Sequence, residues 1–215
     1  LIRAEDQLTL VDTGMPSEKS FRELSRQLAE IEVKPENLTE IVTTHFHIDH
    51  VGQVPRLRKL SGAQLIVSTK TTEAVQLVTQ AYENYWENLT NIYKEAGVPT
   101  ELVEQMLKAT PGYLYQPVYE ELARPSRTLE DGEKISMGDY SFQTILTPGH
   151  APGHICLYEP KRRLLMAGDH LLPTITPHVT QWGEERNVLA DYLNSLDKVG
   201  KLDVDVVLPA HEELF

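Results

Sequence analysis

Hydrophobic residues along this chain follow two different periods, which predict a mixture of strands and helices. Short apolar or β-branched runs predict strands in the first half of the chain at residues 8–11, 41–44 and 63–67. Apolar residues that recur at spacings of three and four predict amphipathic helices over residues 17–31 and from about 52 to 60. The first half therefore mixes strands with helices.

The second half, from about residue 127, repeats this mixture with more strands. Strands are predicted at residues 141–146, 155–159, 164–167 and 204–208. A helix is predicted over residues 185–199. The sequence Glu130-Asp131-Gly132-Glu133 is typical of a hairpin turn between two short strands.

Between the halves lies a segment of different character, residues 70–125, which is helix-prone and rich in aromatic residues. Its aromatic residues are Tyr82, Tyr85, Trp86, Tyr93, Tyr113, Tyr115 and Tyr119. We predict that this segment is a helical insert within a single domain spanning residues 1–215. The insert is a candidate lid over a substrate, but aromatic residues also pack an insert against a core, and we favour that second interpretation for most of them.

Composition and charge narrow the class of protein. The chain has 215 residues, 40% of them hydrophobic and 24% charged, which is ordinary for one soluble globular domain. A formal net charge of −12 argues against nucleic acid as a partner, because proteins that bind the phosphate backbone of nucleic acids usually present a basic surface. No apolar run approaches the roughly 20 residues that span a bilayer, and we see no signal-peptide pattern. The single cysteine, Cys156, excludes an internal disulfide and fits a reducing cytosol, so we expect a cytoplasmic protein.

The candidate chemistry lies in the histidines, all eight of which fall in five short stretches that end or follow predicted strands. The densest stretch reads His-Phe-His-Ile-Asp-His over residues 45–50. Residues two apart in an extended loop project to the same side, so His45 and His47 can chelate one ion together. Asp49 and His50 then turn toward a neighbouring position as a helix begins. Imidazole and carboxylate ligands suit zinc, iron or manganese.

One such stretch cannot complete two coordination spheres, so other loops must contribute. Three later stretches follow predicted strands and carry a ligand-type residue, namely His150 in Thr-Pro-Gly-His, Asp169 in Gly-Asp and His211 in Pro-Ala-His. Loops at one end of a rigid sheet are where such sites are usually assembled. We therefore expect these residues to meet the first stretch in space.

In this order, His-x-His-x-Asp-His, Thr-Pro-Gly-His, Gly-Asp and a late strand ending in histidine resemble the metallo-β-lactamase superfamily, and within it the glyoxalase II-type branch of dinuclear hydrolases. The resemblance covers the chain apart from the insert. It implies an αββα sandwich, a four-layer α/β fold, with the site at the edge between two sheets and the helical insertion between the two halves. The family usually has Gly-His-Gly where this chain has Ala210-His211-Glu212, and it continues further. We therefore expect a C-terminal extension after Phe215, and we expect a natural start before Leu1 because the chain opens inside a predicted strand.

The resemblance also implies a site for two divalent ions, which would be zinc in the first instance, with manganese or iron as alternatives. The implied ligands are His45, His47 and His150 for the first ion, Asp49, His50 and His211 for the second, and Asp169 as a bridge between the two. A bridging carboxylate resembles the thioesterase, lactonase and phosphodiesterase branches more than the true β-lactamases. We therefore do not predict antibiotic hydrolysis.

Four further residues are expected near the ligands rather than among them. His154 is predicted to support the site or to pack against it. His170 and His178 are candidates for lining the pocket, where either would orient the substrate or pass a proton to the leaving group, with a hydrogen-bonded structural role as the alternative. Asp12, in Val-Asp-Thr-Gly, matches a family motif that supports the site from behind, with an Asx-type turn as the alternative.

The sequence thus predicts a metal-dependent hydrolase that uses a metal-bridging hydroxide to cleave a small ester, thioester or lactone. Asp49 and Asp169 would hold the ions and accept a hydrogen bond from this nucleophile. The expected partner is a small-molecule substrate, with nucleic acid and membranes disfavoured.

Three alternatives stay open: a mononuclear iron persulfide dioxygenase, a phosphodiesterase or ribonuclease of the same superfamily, and a metal-binding module without turnover. The presence of both His50 and His211 argues against the first. The acidic charge argues against the second, and the complete ligand set argues against the third.

Overall fold

Two five-stranded sheets form the centre of the structure, a computed structural model that describes residues 1–4, 6–80, 90–109, 115–180 and 187–215. The first sheet contains, in spatial order, β1 (Ile2–Arg3), β2 (Leu8–Val11), β3 (Glu40–Val42), β4 (Gln64–Ser68) and β5 (Arg127–Leu129). The second contains β6 (Lys134–Met137), β7 (Tyr140–Leu146), β8 (Ile155–Glu159), β9 (Leu164–Gly168) and β10 (Val206–Pro209), ordered from β10 to β6. Strands β2 to β5 run parallel, as do β9 and β10, whereas the other neighbours are antiparallel.

The helices connect these strands. They are α1 (Glu18–Glu30), α2 (Ile48–Val51), α3 (Val54–Ser61), α4 (Thr69–Gln80), α5 (Thr100–Ala109), α6 (Gln116–Leu122) and α7 (Val188–Val199), with a 3₁₀ turn at Pro35–Asn37 and helical residues at 90–95. Helix α1 begins after Ser17, whose hydroxyl accepts a hydrogen bond from the Ser20 backbone N–H at 3.1 Å. Among the described residues, no helix has the length and apolar character needed to cross a bilayer.

Alternation of side chains along the strands produces the four layers implied by the resemblance. Ile41 packs in a cluster against the helices outside the first sheet, whereas its neighbour Val42 packs between the two sheets. In the second sheet Ile155 points into the same inter-sheet cluster, whereas Cys156 points outward and packs with Val199 of α7. The order is therefore helix, sheet, sheet, helix, and the predicted αββα fold is confirmed.

The described part of the insert packs against the first sheet. Ala74 and Val75 of α4 and Val118 and Leu122 of α6 belong to the outer cluster of this sheet, and Tyr119 packs against it. Tyr82, Tyr85, Trp86 and Tyr113 lie outside the described residues. A lid formed by residues 70–125 stays a prediction.

The predicted hairpin at residues 130–133 was wrong. The chain does turn there, since the Glu133 backbone N–H donates to the Glu130 carbonyl at 3.1 Å and Gly132 has φ 81°. However, the preceding strand β5 pairs with β4, and the following strand β6 pairs with β7. The turn thus passes the chain from one sheet to the other, because turn residues specify a local reversal and not the partner of each strand.

The helix predicted from near Gly52 to about residue 60 is found as α3 (Val54–Ser61), and a separate short helix precedes it. Backbone N–H groups of His50 and Val51 donate to the His47 carbonyl at 2.9 and 3.1 Å, so the short helix α2 starts at Ile48. A second helix, α3, follows from Val54. This early turn is what separates the direction of His47 from that of His50.

The loop between β7 and β8, residues 147–154, is fixed from two sides by helices. Ser68, the last residue of β4, and Thr71, in the first turn of α4, donate from their hydroxyls to the Gly153 carbonyl at 2.6 and 3.1 Å. On the other side, the Ser195 hydroxyl of α7 donates to the Pro148 carbonyl at 2.8 Å. A Cβ at Gly153 would lie 2.1 Å from the Thr71 nitrogen, so this close approach requires glycine. The loop that carries His150 is therefore rigidly placed.

Candidate metal centre

All seven predicted ligands meet at one edge of the sandwich, where strands β3, β7, β9 and β10 end. The structure gathers their ligand atoms into three overlapping groups, in each of which the atoms lie within 4.8 Å of one another: His45, His47 and His150; His45, His50 and Asp169; Asp49, His50 and His211. The first and third groups match the two ligand sets that the resemblance implies. The second group joins them.

Asp169 lies between the two sets, with one carboxylate oxygen directed toward each. Its Oδ2 atom is 3.4 Å from His150 Nε2. Its Oδ1 atom is 3.3 Å from His50 Nε2 and 3.5 Å from His211 Nε2. A carboxylate placed in this way can contribute one oxygen to each of two neighbouring ions.

His45 and His150 face each other through nitrogen lone pairs. The Nδ1–H of His150 donates to the His178 carbonyl at 2.7 Å, and the Nδ1–H of His45 donates to Thr44 Oγ1 at 3.0 Å, since that hydroxyl gives its own proton to Asp12 Oδ2. A neutral imidazole carries one proton, so Nε2 of both rings is an acceptor. These two Nε2 atoms lie 3.2 Å apart. Two acceptors at this distance repel each other unless a cation lies between them, so the donor set fits a metal ion.

Asp12 supports both sets from behind. Its carboxylate accepts hydrogen bonds from the Thr44 backbone N–H and hydroxyl, each at 2.8 Å, and from His50 Nδ1 at 2.9 Å. It therefore orients His50 directly and His45 through Thr44. These partners are more than 30 residues away along the chain, so the bonds are not those of an Asx turn. The structure favours the supporting role over the turn.

The other three histidines differ in their surroundings. His154 is fully buried and both of its ring nitrogens lie within hydrogen-bonding distance of protein groups, Thr147 Oγ1 at 2.7 Å and the Asp169 backbone N–H at 3.1 Å. His170 is also fully buried, with its ring edge-on to Tyr192 at 5.3 Å between centroids, so its imidazole does not line an open pocket. The imidazole of His178 is exposed, and the group it contributes to the site is its backbone carbonyl.

Burial and neighbouring charges divide the histidines into two electrostatic classes. Burial holds the pKa of His45 well below its usual value, lowers the pKa of His150 and lowers the pKa of His47 to about 3. Burial by itself would also lower the pKa of His50, but the surrounding carboxylates of Asp12, Asp169 and Asp49 outweigh this and raise its pKa to about 12. His50 therefore carries a proton in the metal-free protein near neutral pH.

We expect this proton to leave when metal binds. A metal needs the neutral Nε2 lone pair of His50, so loading the metal-free protein at pH 7 should release about one proton from this residue and should become tighter as pH rises. Calorimetry in buffers of different ionisation enthalpy measures the protons released. The His50→Gln variant should release about one proton fewer than the unmodified chain. Equal proton release from both proteins would contradict the assignment.

Three supporting residues were not found by reading the sequence. Thr44 directly precedes His45, and Thr147 begins the Thr-Pro-Gly-His stretch, so adjacency to ligands was the available signal. The third is Glu212, which stands where the family usually has glycine and adopts the left-handed φ of 68°. Its carboxylate accepts hydrogen bonds from the backbone N–H and the hydroxyl of Thr174. This contact ties the loop after Asp169 to the residue next to His211.

An open groove of about 770 Å³ lies beside the second ligand set. Asp49, His50 and His211 line one part of it. Elsewhere it is lined mainly by apolar side chains, with Lys19 among the polar ones; the apolar residues include Leu10, Met15, Leu24, Met166 and Leu208. This volume is in the range of small-molecule sites in proteins.

Comparison with known proteins agrees with this geometry. The family model described as the metallo-beta-lactamase superfamily matches residues 1–211. The probable metallo-hydrolase YqjP of Bacillus subtilis is 28% identical over 97% of this chain and 65% of that protein. The acyl-coenzyme A thioesterase MBLAC2 of Gallus gallus is 29% identical over 81% of this chain and 56% of that protein. The hydroxyacylglutathione hydrolase of Francisella tularensis subsp. novicida is 33% identical over 51% of this chain and 43% of that protein.

The fold is likewise shared with a solved structure. The metallo-beta-lactamase family protein TTHA1429 of Thermus thermophilus superposes with a TM-score of 0.80 at 26% identity, over 99% of this chain and 67% of that one. This chain spans between 56% and 65% of the length of the first curated relatives it matches. Its fold, its ligand order and its relatives are consistent with the glyoxalase II-like branch. The chain belongs to the metallo-beta-lactamase superfamily.

Proposed function

We propose that this chain binds two divalent metal ions, zinc in the first instance, and hydrolyses a small thioester, ester or lactone. The observation that carries the proposal is the pair of imidazole acceptors, His45 Nε2 and His150 Nε2, held 3.2 Å apart by hydrogen bonds on their far sides. A protein gains nothing in stability by opposing two buried lone pairs. The arrangement becomes favourable when a cation binds both nitrogen lone pairs.

The position of Asp169 supports two ions rather than one. A single ion on the His45, His47 and His150 set would leave Oδ1 of Asp169, His50, Asp49 and His211 as a second group of donors close to one another. Carboxylate and imidazole donors at this spacing suit a second divalent ion. The two sets share one carboxylate, as expected for a pair of ions a few ångströms apart.

The ions, when bound, would lower the pKa of water from 15.7 toward roughly 7 and polarise the carbonyl of a substrate. The side chains of Asp49 and His211 are 39% and 40% exposed, whereas those of His50 and Asp169 are 3% and 10% exposed. Substrate therefore approaches from the side of Asp49 and His211. The Asp49 carboxylate on this open side, and the more buried Asp169 carboxylate, would hold the ions and accept a hydrogen bond from the attacking water.

A side-chain nucleophile is not needed for this chemistry. Cys156 is the only cysteine of the chain, and it is fully buried in the outer cluster of the second sheet. Burial raises the pKa of its thiol to about 12, so it is not available as a thiolate. The proposed nucleophile is therefore a metal-activated water rather than a cysteine thiolate.

Among the three substrate classes we favour thioesters. Two relatives are named for the hydrolysis of acyl-coenzyme A and of hydroxyacylglutathione. The mainly apolar groove of about 770 Å³ beside Asp49 and His211 offers space for an acyl group. A small molecule, rather than a nucleic acid, also fits the net charge of −12.

The proposal is tested with zinc-loaded and chelator-treated protein on one panel of substrates: acyl-coenzyme A, S-acyl glutathione, a lactone and an aryl ester. We expect thiol release from one of the two thioesters by the loaded protein and none by the treated protein, with activity restored by adding zinc. Activity on lactone or aryl ester alone would keep the hydrolase and change the substrate class. The proposal would be contradicted if the protein hydrolysed none of these four substrates and instead consumed oxygen with a persulfide or cleaved RNA.

A further inference from the structure

The imidazole of His154 lies directly behind the carboxylate that joins the two ligand sets. It is fully buried and directly precedes β8. The backbone N–H of Asp169 donates to its Nε2 atom at 3.1 Å. The other ring nitrogen, Nδ1, lies 2.7 Å from Thr147 Oγ1.

These two contacts fix the tautomer of the ring. Nε2 must be unprotonated in order to accept the Asp169 N–H, so the proton of the neutral ring is on Nδ1 and is donated to Thr147. The acceptor therefore points permanently at the main chain of Asp169. A hydrogen bond to the backbone N–H holds the main chain of Asp169 in place, and with it the point from which the carboxylate reaches the two ligand sets.

The residue before Asp169 is shaped to admit this ring. Gly168 has φ 52°, in the left-handed region that favours glycine, and a Cβ there would lie 2.6 Å from His154 Nε2 and 3.0 Å from the Cβ of Thr44. Any larger residue at 168 would displace the imidazole. The Gly-Asp pair thus places the backbone of Asp169 against His154.

We propose that His154 is a positioning residue that holds Asp169 in the orientation in which its two oxygens face different metal ions. This inference rests on the proposed two-metal function and adds a residue that does not itself bind metal. Outer partners of metal ligands typically change metal affinity by about 10–100-fold when they are removed. His154 would act on the main chain of Asp169 rather than on the Asp169 carboxylate.

The test compares His154→Leu with His154→Gln. Leucine fills similar apolar space but offers no acceptor, whereas the amide oxygen of glutamine can reach the position of Nε2. The matched control is Leu157→Val on the same strand, which loosens the fully buried inter-sheet cluster without touching Asp169. For each protein, zinc affinity is measured by competition with a chromophoric chelator, and Tm by circular dichroism.

We expect zinc affinity to fall about 10–100-fold in His154→Leu and to stay near the unmodified value in His154→Gln and Leu157→Val, although Tm falls in both His154→Leu and Leu157→Val. If the Leu variant does not fold, Thr147→Val takes its place, because losing the Nδ1 partner frees the ring to turn and should cause the same loss. Unchanged zinc affinity in a folded His154→Leu variant would overturn the inference and leave the proposed two-metal function in place. Losses of zinc affinity in His154→Gln and Leu157→Val that equal the loss in His154→Leu would do the same. A wild-type chain that binds no zinc would overturn both.

Discussion

About two zinc ions per chain should be found in the metal-loaded protein, and about one in the His50→Ala variant. His50 Nε2 lies 3.3 Å from Asp169 Oδ1 and 3.5 Å from Asp49 Oδ2, and His50 is the most buried donor of the second set. Its removal leaves the first set of three histidines complete. Elemental analysis of tag-free protein after gel filtration measures the stoichiometry directly.

The matched control for this measurement is His178→Ala. The imidazole of His178 is exposed, and its contribution to the site is a carbonyl that the substitution retains. This variant should therefore keep about two ions, which separates loss of a ligand from loss of any histidine. One iron per chain in all three proteins would reject the dinuclear hydrolase and favour the iron dioxygenase alternative.

Substitution of Asp169 by asparagine should have the largest effect on activity. The carboxamide keeps the size of the side chain and the backbone N–H contact to His154, but it replaces one accepting oxygen by a donor and removes the negative charge. The side chain can then provide an oxygen ligand to only one of the two ligand sets. We expect kcat/KM on the thioester that the panel identifies to fall by more than the roughly 10–100-fold typical of outer partners, toward the level of chelator-treated protein.

The control for this variant is Asp203→Asn, at a carboxylate that is 74% exposed and paired with Arg163 on the surface. Its kcat/KM should be unchanged, because exposed ion pairs of this kind contribute little. An Asp169→Asn protein that keeps two ions and most of its activity would show that the carboxylate does not join the two sites.

The strands and helices were largely predictable because hydrophobic periodicity depends on neighbours in the sequence. The helix predicted over 17–31 is found at Glu18–Glu30, and the strand predicted at 155–159 is found at Ile155–Glu159. Which strands pair with each other was harder to predict from the sequence. Asp131-Gly132 specified a turn correctly, yet β5 and β6 on either side of it belong to different sheets.

The predicted ligand types could also be read from the sequence, since each predicted ligand lies within a few residues of a strand end or close to another predicted ligand along the chain. The stretch from His45 to His50 places four donors together without help from the rest of the fold, apart from the short helix that starts at Ile48. His150, Asp169 and His211 could be named, and the structure brings them to the same edge.

The sequence by itself determined which side chains are candidate metal ligands and how they are spaced along the chain. The tertiary structure decided the direction in which each of these side chains points. The support of His50 by Asp12, the contact of His154 with the Asp169 N–H and the carbonyl of His178 behind His150 join residues 15 to 38 positions apart. Such contacts depend on strand register and on the packing of loops at the sheet edge, which no local pattern encodes. Hydrogen bonds of this kind fix which ring nitrogen carries a proton, and therefore which lone pairs face a metal ion.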